Sequence, residues 1–116
     1  MRKFIILIPV YNDWESLSKL INDISIQLKE LKNDFFSFIV LNDGSTKSQP
    51  NINKPENIFS IKILNMKINK GHTTCIAYGI HYILRNEKFD NLILMDGDGE
   101  DRPEEVLTLI KKNSEN

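Results

Sequence analysis

The chain has 116 residues, 41% hydrophobic and 27% charged, with a formal net charge of -1. That length supports one core, hence a single domain over 1–116, and the composition excludes a disordered tail. With no block of like charges, the sequence has no electrostatic footprint for nucleic acid or an anionic membrane, so any anionic ligand must be held locally.

The first residues, Met1-Arg2-Lys3 and the apolar run Phe4 to Ile8, begin like a signal peptide, but Pro9, Asn12 and Asp13 end the run too early. No stretch approaches the roughly 18 apolar residues of a membrane span, so no membrane segment is expected. Phe4 to Ile8 is apolar throughout and largely β-branched or aromatic, as in a strand buried on both faces of a parallel sheet. From Trp14 the period changes. Trp14, Leu17, Leu20, Ile21, Ile24, Leu28 and Leu31 recur every three or four residues and predict a helix, with Asn12 and Glu15 as its capping box.

A second strand, Phe36 to Leu41, runs into the turn-forming Asn42-Asp43-Gly44-Ser45. The polar stretch containing Pro50 and Pro55 reads as loop, and Ile61 to Leu64 as a weaker third strand. Asn69-Lys70-Gly71 breaks the chain before a second helix, whose face is expected at Ile76, Ala77, Ile80, Ile83 and Leu84, with close packing at Gly79. The single Cys75 lies in this helix. One cysteine cannot make an intrachain disulfide, so a packed thiol and a reducing, cytoplasmic setting are expected. Leu92 to Met95 is the fourth strand, and Asp101 with Pro103, Glu104 and Glu105 starts a third helix whose apolar side is Val106, Leu107 and Ile110. Such alternation predicts an α/β, Rossmann-like, mostly parallel sheet with helices on both faces.

In that arrangement three polar clusters share the C-terminal edge of the sheet, where open α/β folds bind ligands. They are Pro9-Val10-Tyr11-Asn12-Asp13, Asn42-Asp43-Gly44-Ser45 and Asp96-Gly97-Asp98-Gly99-Glu100. Two acids directly after a buried strand repel each other unless a cation lies between them. The run is not an EF-hand loop: counted from Asp96, its sixth position is Asp101 and its twelfth Leu107, where Gly and Glu are needed. Nor is it a dinucleotide fingerprint, because Gly97 and Gly99 are followed by Arg102 at the third glycine position. Asp96-x-Asp98 fits the nucleophile pair of haloacid-dehalogenase-like phosphohydrolases locally. That pair belongs after the first strand, whereas here it follows later ones.

Taken together, Ile8 to Asp13, Val40 to Ser45, Asn69-Lys70-Gly71-His72 with Ala77 and Gly79, and Met95 to Glu104 resemble the family 2 glycosyltransferases of GT-A fold. The likeness is nearest to the polyprenyl-phosphate glycosyltransferase branch, relatives of dolichyl-phosphate mannose synthase. The resemblance implies a nucleotide-diphospho-sugar donor bound with Mg2+ or Mn2+. Pro9, Tyr11, Asn12 and Asp13 would line the base pocket, Asn42 and Asp43 would meet the base, and His72 would stand near the donor where the family often has Lys or Arg. Asp96 would take the ribose side and Asp98 and Glu100 the metal, with Glu100 replacing a common Gln. A lipid-phosphate acceptor follows from the branch, placing the full-length protein at the inner face of the membrane. The same resemblance makes this chain the N-terminal, donor-binding part of a hexosyltransferase, with no catalytic residue assigned within it. The rival reading is a nucleotide-binding module without turnover.

Overall fold

The computed structural model describes residues 1–95 and 102–115. Its elements are β1 (Lys3–Val10), α1 (Trp14–Gln27), β2 (Phe35–Asn42), β3 (Ser60–Asn65), α2 (His72–Asn86), β4 (Asn91–Leu94) and α3 (Pro103–Glu115). The strands form one sheet in the order β3-β2-β1-β4, every pairing parallel. The α/β, Rossmann-like expectation therefore holds, and the sheet is consistent with a GT-A fold.

Side chains leave a strand on alternate faces, and the two faces of this sheet are covered by different helices. Phe4, Ile6, Ile8, Phe36, Phe38 and Val40 point to one side, where α1 supplies Trp14, Leu17, Ile21 and Ile24 and α3 supplies Val106 and Ile110. Ile5, Leu7, Ile39 and Leu41 point to the other, against Cys75 and Ile83 of α2. Both faces of β1 and β2 are buried, which accounts for their unbroken apolar sequences.

Three helix expectations need correction. The N-cap of α1 is Asp13, whose carboxylate accepts from the Ser16 amide at 3.2 Å, and not Asn12 in a capping box with Glu15. This helix ends at Gln27, so Leu31 packs against the core from the turn that follows. The buried face of α2 is Cys75, Gly79 and Ile83, while Ala77 is exposed and Leu84 is 66% exposed. Gly79 sets that rotation: a Cβ there would lie 2.5 Å from Leu41 Cδ1. The smallest side chain faces the sheet because the helix comes so close.

Pro9 lies inside β1, not beyond its end. The carbonyls of Arg2 and Val10 accept from Phe35 and Asp43 on the β2 side, and those of Lys3 and Leu7 from Asp90 and Met95 on the β4 side. Odd positions of β1 thus face β4, so Pro9, which has no N–H, falls where the next bond to that side would be donated. The pairing of β1 with β4 ends at Leu7 and Leu94, whereas its pairing with β2 runs on to Val10 and Asn42. Met95 donates the last described bond from this side, to the Leu7 carbonyl, and the acidic run follows it in the sequence.

At the opposite edge, Arg2 closes β1 onto the start of β2. Its guanidinium donates to Asp34 at 2.9 and 3.2 Å, and its amide donates to the same carboxylate at 3.2 Å. The Arg2 hydrogen bond holds the Asp34 carboxyl below its ordinary value of 3.8, against the opposing effect of burial. A carboxylate depressed in the folded state stabilises the fold above its unfolded pKa, and that stability disappears as pH falls through the folded value. Asp34→Asn should therefore lower the urea midpoint at neutral pH, and the gap from the unmutated protein should close below about pH 4. A gap that stays constant into strong acid would contradict this role.

Candidate donor-binding site

The C-terminal edge is built by three loops tied to one another through side chains. Asn12 adopts a left-handed backbone, φ 63°, which Asn tolerates better than most residues. That turn aims its carboxamide across to the loop after β2, where Oδ1 accepts from the amides of Thr46 at 2.7 Å and Lys47 at 2.9 Å. Its Nδ2 donates to Thr46 Oγ1, and its own amide donates to Ser45 Oγ at 2.8 Å. Trp14, a core residue as its periodicity suggested, adds a bond from Nε1 to the Lys47 carbonyl at 3.2 Å.

The loop after β2 is joined in turn to the segment before α2. The Asn42 carboxamide accepts from the Ser45 amide at 3.1 Å and donates to Asn65 Oδ1 at 2.9 Å. Asp43 is only 5% exposed; its Oδ1 accepts from the Lys70 amide at 2.8 Å and its carbonyl from Asn69 Nδ2 at 3.1 Å. Gly44, at φ 70°, lets these backbones meet, because a Cβ there would stand 2.3 Å from the Asn69 nitrogen and 2.4 Å from the Ile68 carbonyl carbon.

The residues singled out in the sequence thus occupy one edge but differ in what their side chains do. Pro9 is a buried strand residue, and Asp13 caps α1. Asn12 and Asn42 hold loops, and Asp43 holds the strap at 69–71. Tyr11, 49% exposed, presents its ring at the rim, and His72 is an exposed residue at the start of α2. The sequence reading missed Thr46, Lys47 and the Lys70 backbone as partners. The Asn69-Lys70-Gly71 break was visible only as punctuation, since its partner Asp43 lies 27 residues away.

Asp96, Asp98, Glu100 and the expected cap Asp101 lie outside the described residues. Among the described residues no cluster of three or more His, Cys, Asp or Glu is placed to hold a metal ion. Met95 lies at the same edge, its amide bonded to the Leu7 carbonyl at 2.9 Å. Since β4 is the fourth strand, the acids do not occupy the first-strand position of a dehalogenase-like nucleophile.

The model of glycosyl transferase family 2 matches residues 5–116. The chain belongs to that family. For a family 2 glycosyltransferase the reaction class is transfer of a sugar from a nucleotide-sugar donor to an acceptor, and the C-terminal edge is where an open parallel sheet receives such a ligand. No helix among the described residues is long and apolar enough to cross a membrane.

The two glycines of the site separate conformational strain from close approach. Gly44 and Gly71 both have positive φ, but a Cβ on Gly71 would meet nothing within 4 Å. Gly71→Ala should destabilise by about 1–2 kcal/mol, the cost of a side chain at φ 87°, ψ 154°, a backbone region essentially confined to glycine. Gly44→Ala should cost about 2–4 kcal/mol, because the 68–69 backbone must also move. Urea denaturation giving equal losses for the two variants would contradict the close approach.

Proposed function

We propose that this family 2 glycosyltransferase binds a nucleotide-diphospho-sugar together with Mg2+ or Mn2+ and transfers a hexosyl group to a polyprenyl phosphate at the cytoplasmic face of a membrane. The observation that carries the reading is the convergence of the loops after β1 and β2 and the strap before α2 on the edge where β4 ends, immediately before the acidic run in the sequence. The Tyr11 ring is open to solvent there and suited to lie against a nucleobase. Pro9 to Asp13 and Asn42-Asp43 form the wall of the base pocket, with Asn12, Asn42 and Asp43 acting by fixing its loops.

His72, at the start of α2, is the residue for the donor's diphosphate side. Asp96 takes the ribose side. Asp98 and Glu100 offer hard carboxylate oxygens of the kind these cations accept, and the Met95–Leu7 bond brings the chain leading to them to the crevice. When bound, the dication would offset the negative charge that develops on the diphosphate leaving group. A phosphate acceptor is already anionic and needs no strong base to attack the anomeric carbon.

Titration calorimetry with UDP- and GDP-sugars, with and without Mn2+, tests this reading. One donor should bind with metal-dependent affinity, and Asp98→Asn should weaken that binding roughly tenfold or more, the scale on which damage to a metal site is felt. Absent or metal-independent binding by folded protein would overturn it.

A further inference from the structure

Where α2 ends at Asn86, Glu87 continues as extended backbone, φ −121°, and a cavity of about 160 Å³ lies beside it. Its floor is the start of the sheet on the α2 face. Ile5, Phe35 and Ser37 share that face with Leu7, Ile39 and Leu41 by alternation, and Ser60 pairs with Ser37. Phe59 joins them because its amide donates to the Phe36 carbonyl at 2.7 Å. Two aromatic rings are thus left in solvent side by side. Phe35 is 38% and Phe59 62% exposed, with ring centroids 5.6 Å apart and planes at 67°. An edge-to-face pair of this kind still has ring surface open to a third aromatic group.

The polar lining carries an excess of positive charge. Lys3, Lys62 and Lys88 line the cavity, and among the described residues Glu87 is the one acid that does. Glu87 is already paired with Lys62 Nζ at 2.7 Å, which ties the end of α2 to β3. Lys3 and Lys88 are exposed, and neither ammonium has an ion pair among the described residues. The nearby Asp90 carboxylate accepts instead from the Lys3 amide, at 2.7 Å. The Ser60 hydroxyl donates to Ser37 Oγ at 3.0 Å. Two hydroxyls carry two hydrogens and this bond uses one, so the pair keeps one O–H for a further acceptor. A cavity of about 150 Å³ holds a single benzene ring. A nucleotide is far larger, so this is no second donor site.

We propose that the cavity is a binding site for a small aromatic carboxylate, its ring against Phe35 and Phe59 and its charge met by Lys3, Lys88 and the serine pair. The site lies at the opposite edge from the donor crevice and does not depend on the function proposed above.

Phenylacetate is the probe, with 2-phenylethanol supplying the ring without the charge and acetate the charge without the ring. Each is titrated into the unmutated protein while backbone amide shifts are followed. Phenylacetate should saturate with a Kd on the order of 1 mM, the scale open to a ligand of its size. Its changes should centre on Phe35, Phe59, Ser60 and Lys88. 2-Phenylethanol should bind roughly fivefold more weakly, the worth of exposed charge contacts, and acetate should not saturate. Phe59→Ala, at an exposed position, should weaken phenylacetate about tenfold. Lys3→Ala combined with Lys88→Ala should bring phenylacetate down to the affinity of 2-phenylethanol and leave the alcohol unaffected. Failure of phenylacetate to saturate, equal affinity for phenylacetate and 2-phenylethanol in the unmutated protein, or changes centred away from the cavity overturns the proposal. Should a variant not fold, the ranking of the three probes on the unmutated protein decides the question. UDP and GDP titrated separately keep the claims apart: if neither binds while phenylacetate saturates at the cavity, the donor reading fails and this site stands.

Discussion

The two-sided pairing of β1 is the constraint on which the rest of the structure depends. Its even positions bond to the β2 side and its odd positions to the β4 side, and since both neighbours pair with it in parallel, all three strands finish at one edge. Parallel strands need crossovers: α1 carries β1 to β2 and α2 carries β3 to β4, each on one face, while 43–59 join β2 to β3 without a helix. Pro9 then breaks the symmetry between neighbours. Having no N–H, it offers no donor to the β4 side, where the pairing ends at Leu7 and Leu94 while the β2 side continues to Val10 and Asn42.

The fold was legible because its signals are local. An apolar run of β-branched residues bounded by polar turns can be read without knowing its partner, and so can the three- and four-residue spacing from Trp14 to Leu28. The errors have physical causes. Along α2, counting apolar bulk favours Ile76, Ile80 and Leu84, but the helix approaches Leu41 so closely that the small residues Cys75 and Gly79 turn inward and leave Leu84 in solvent. At α1, Asn12 and Asp13 are equally good caps by type. The choice fell to Asp13 because Asn12 is needed 34 residues away, at Thr46.

The candidate site was legible in location but not in the division of labour. Polar residues at strand ends suggest ligand contacts, yet Asn12, Asn42 and Asp43 spend their side chains on neighbouring loops. Such bonds span 23 to 35 residues where they join loop to loop, and no periodicity reports them. Tyr11 and the start of α2 at His72 are exposed at the same edge. Loops already tied to one another leave less to order when a ligand binds at that edge.

The most direct measurement is the map of backbone amide shifts when the unmutated protein is titrated with the nucleoside diphosphate that it binds. The expected result is a set of changes confined to the C-terminal edge: Tyr11 to Trp14, Asp43 to Lys47 and Asn69 to Cys75. Changes centred instead on the cavity of about 160 Å³ at the other edge, lined by Phe35, Phe59 and Lys88, would contradict the account.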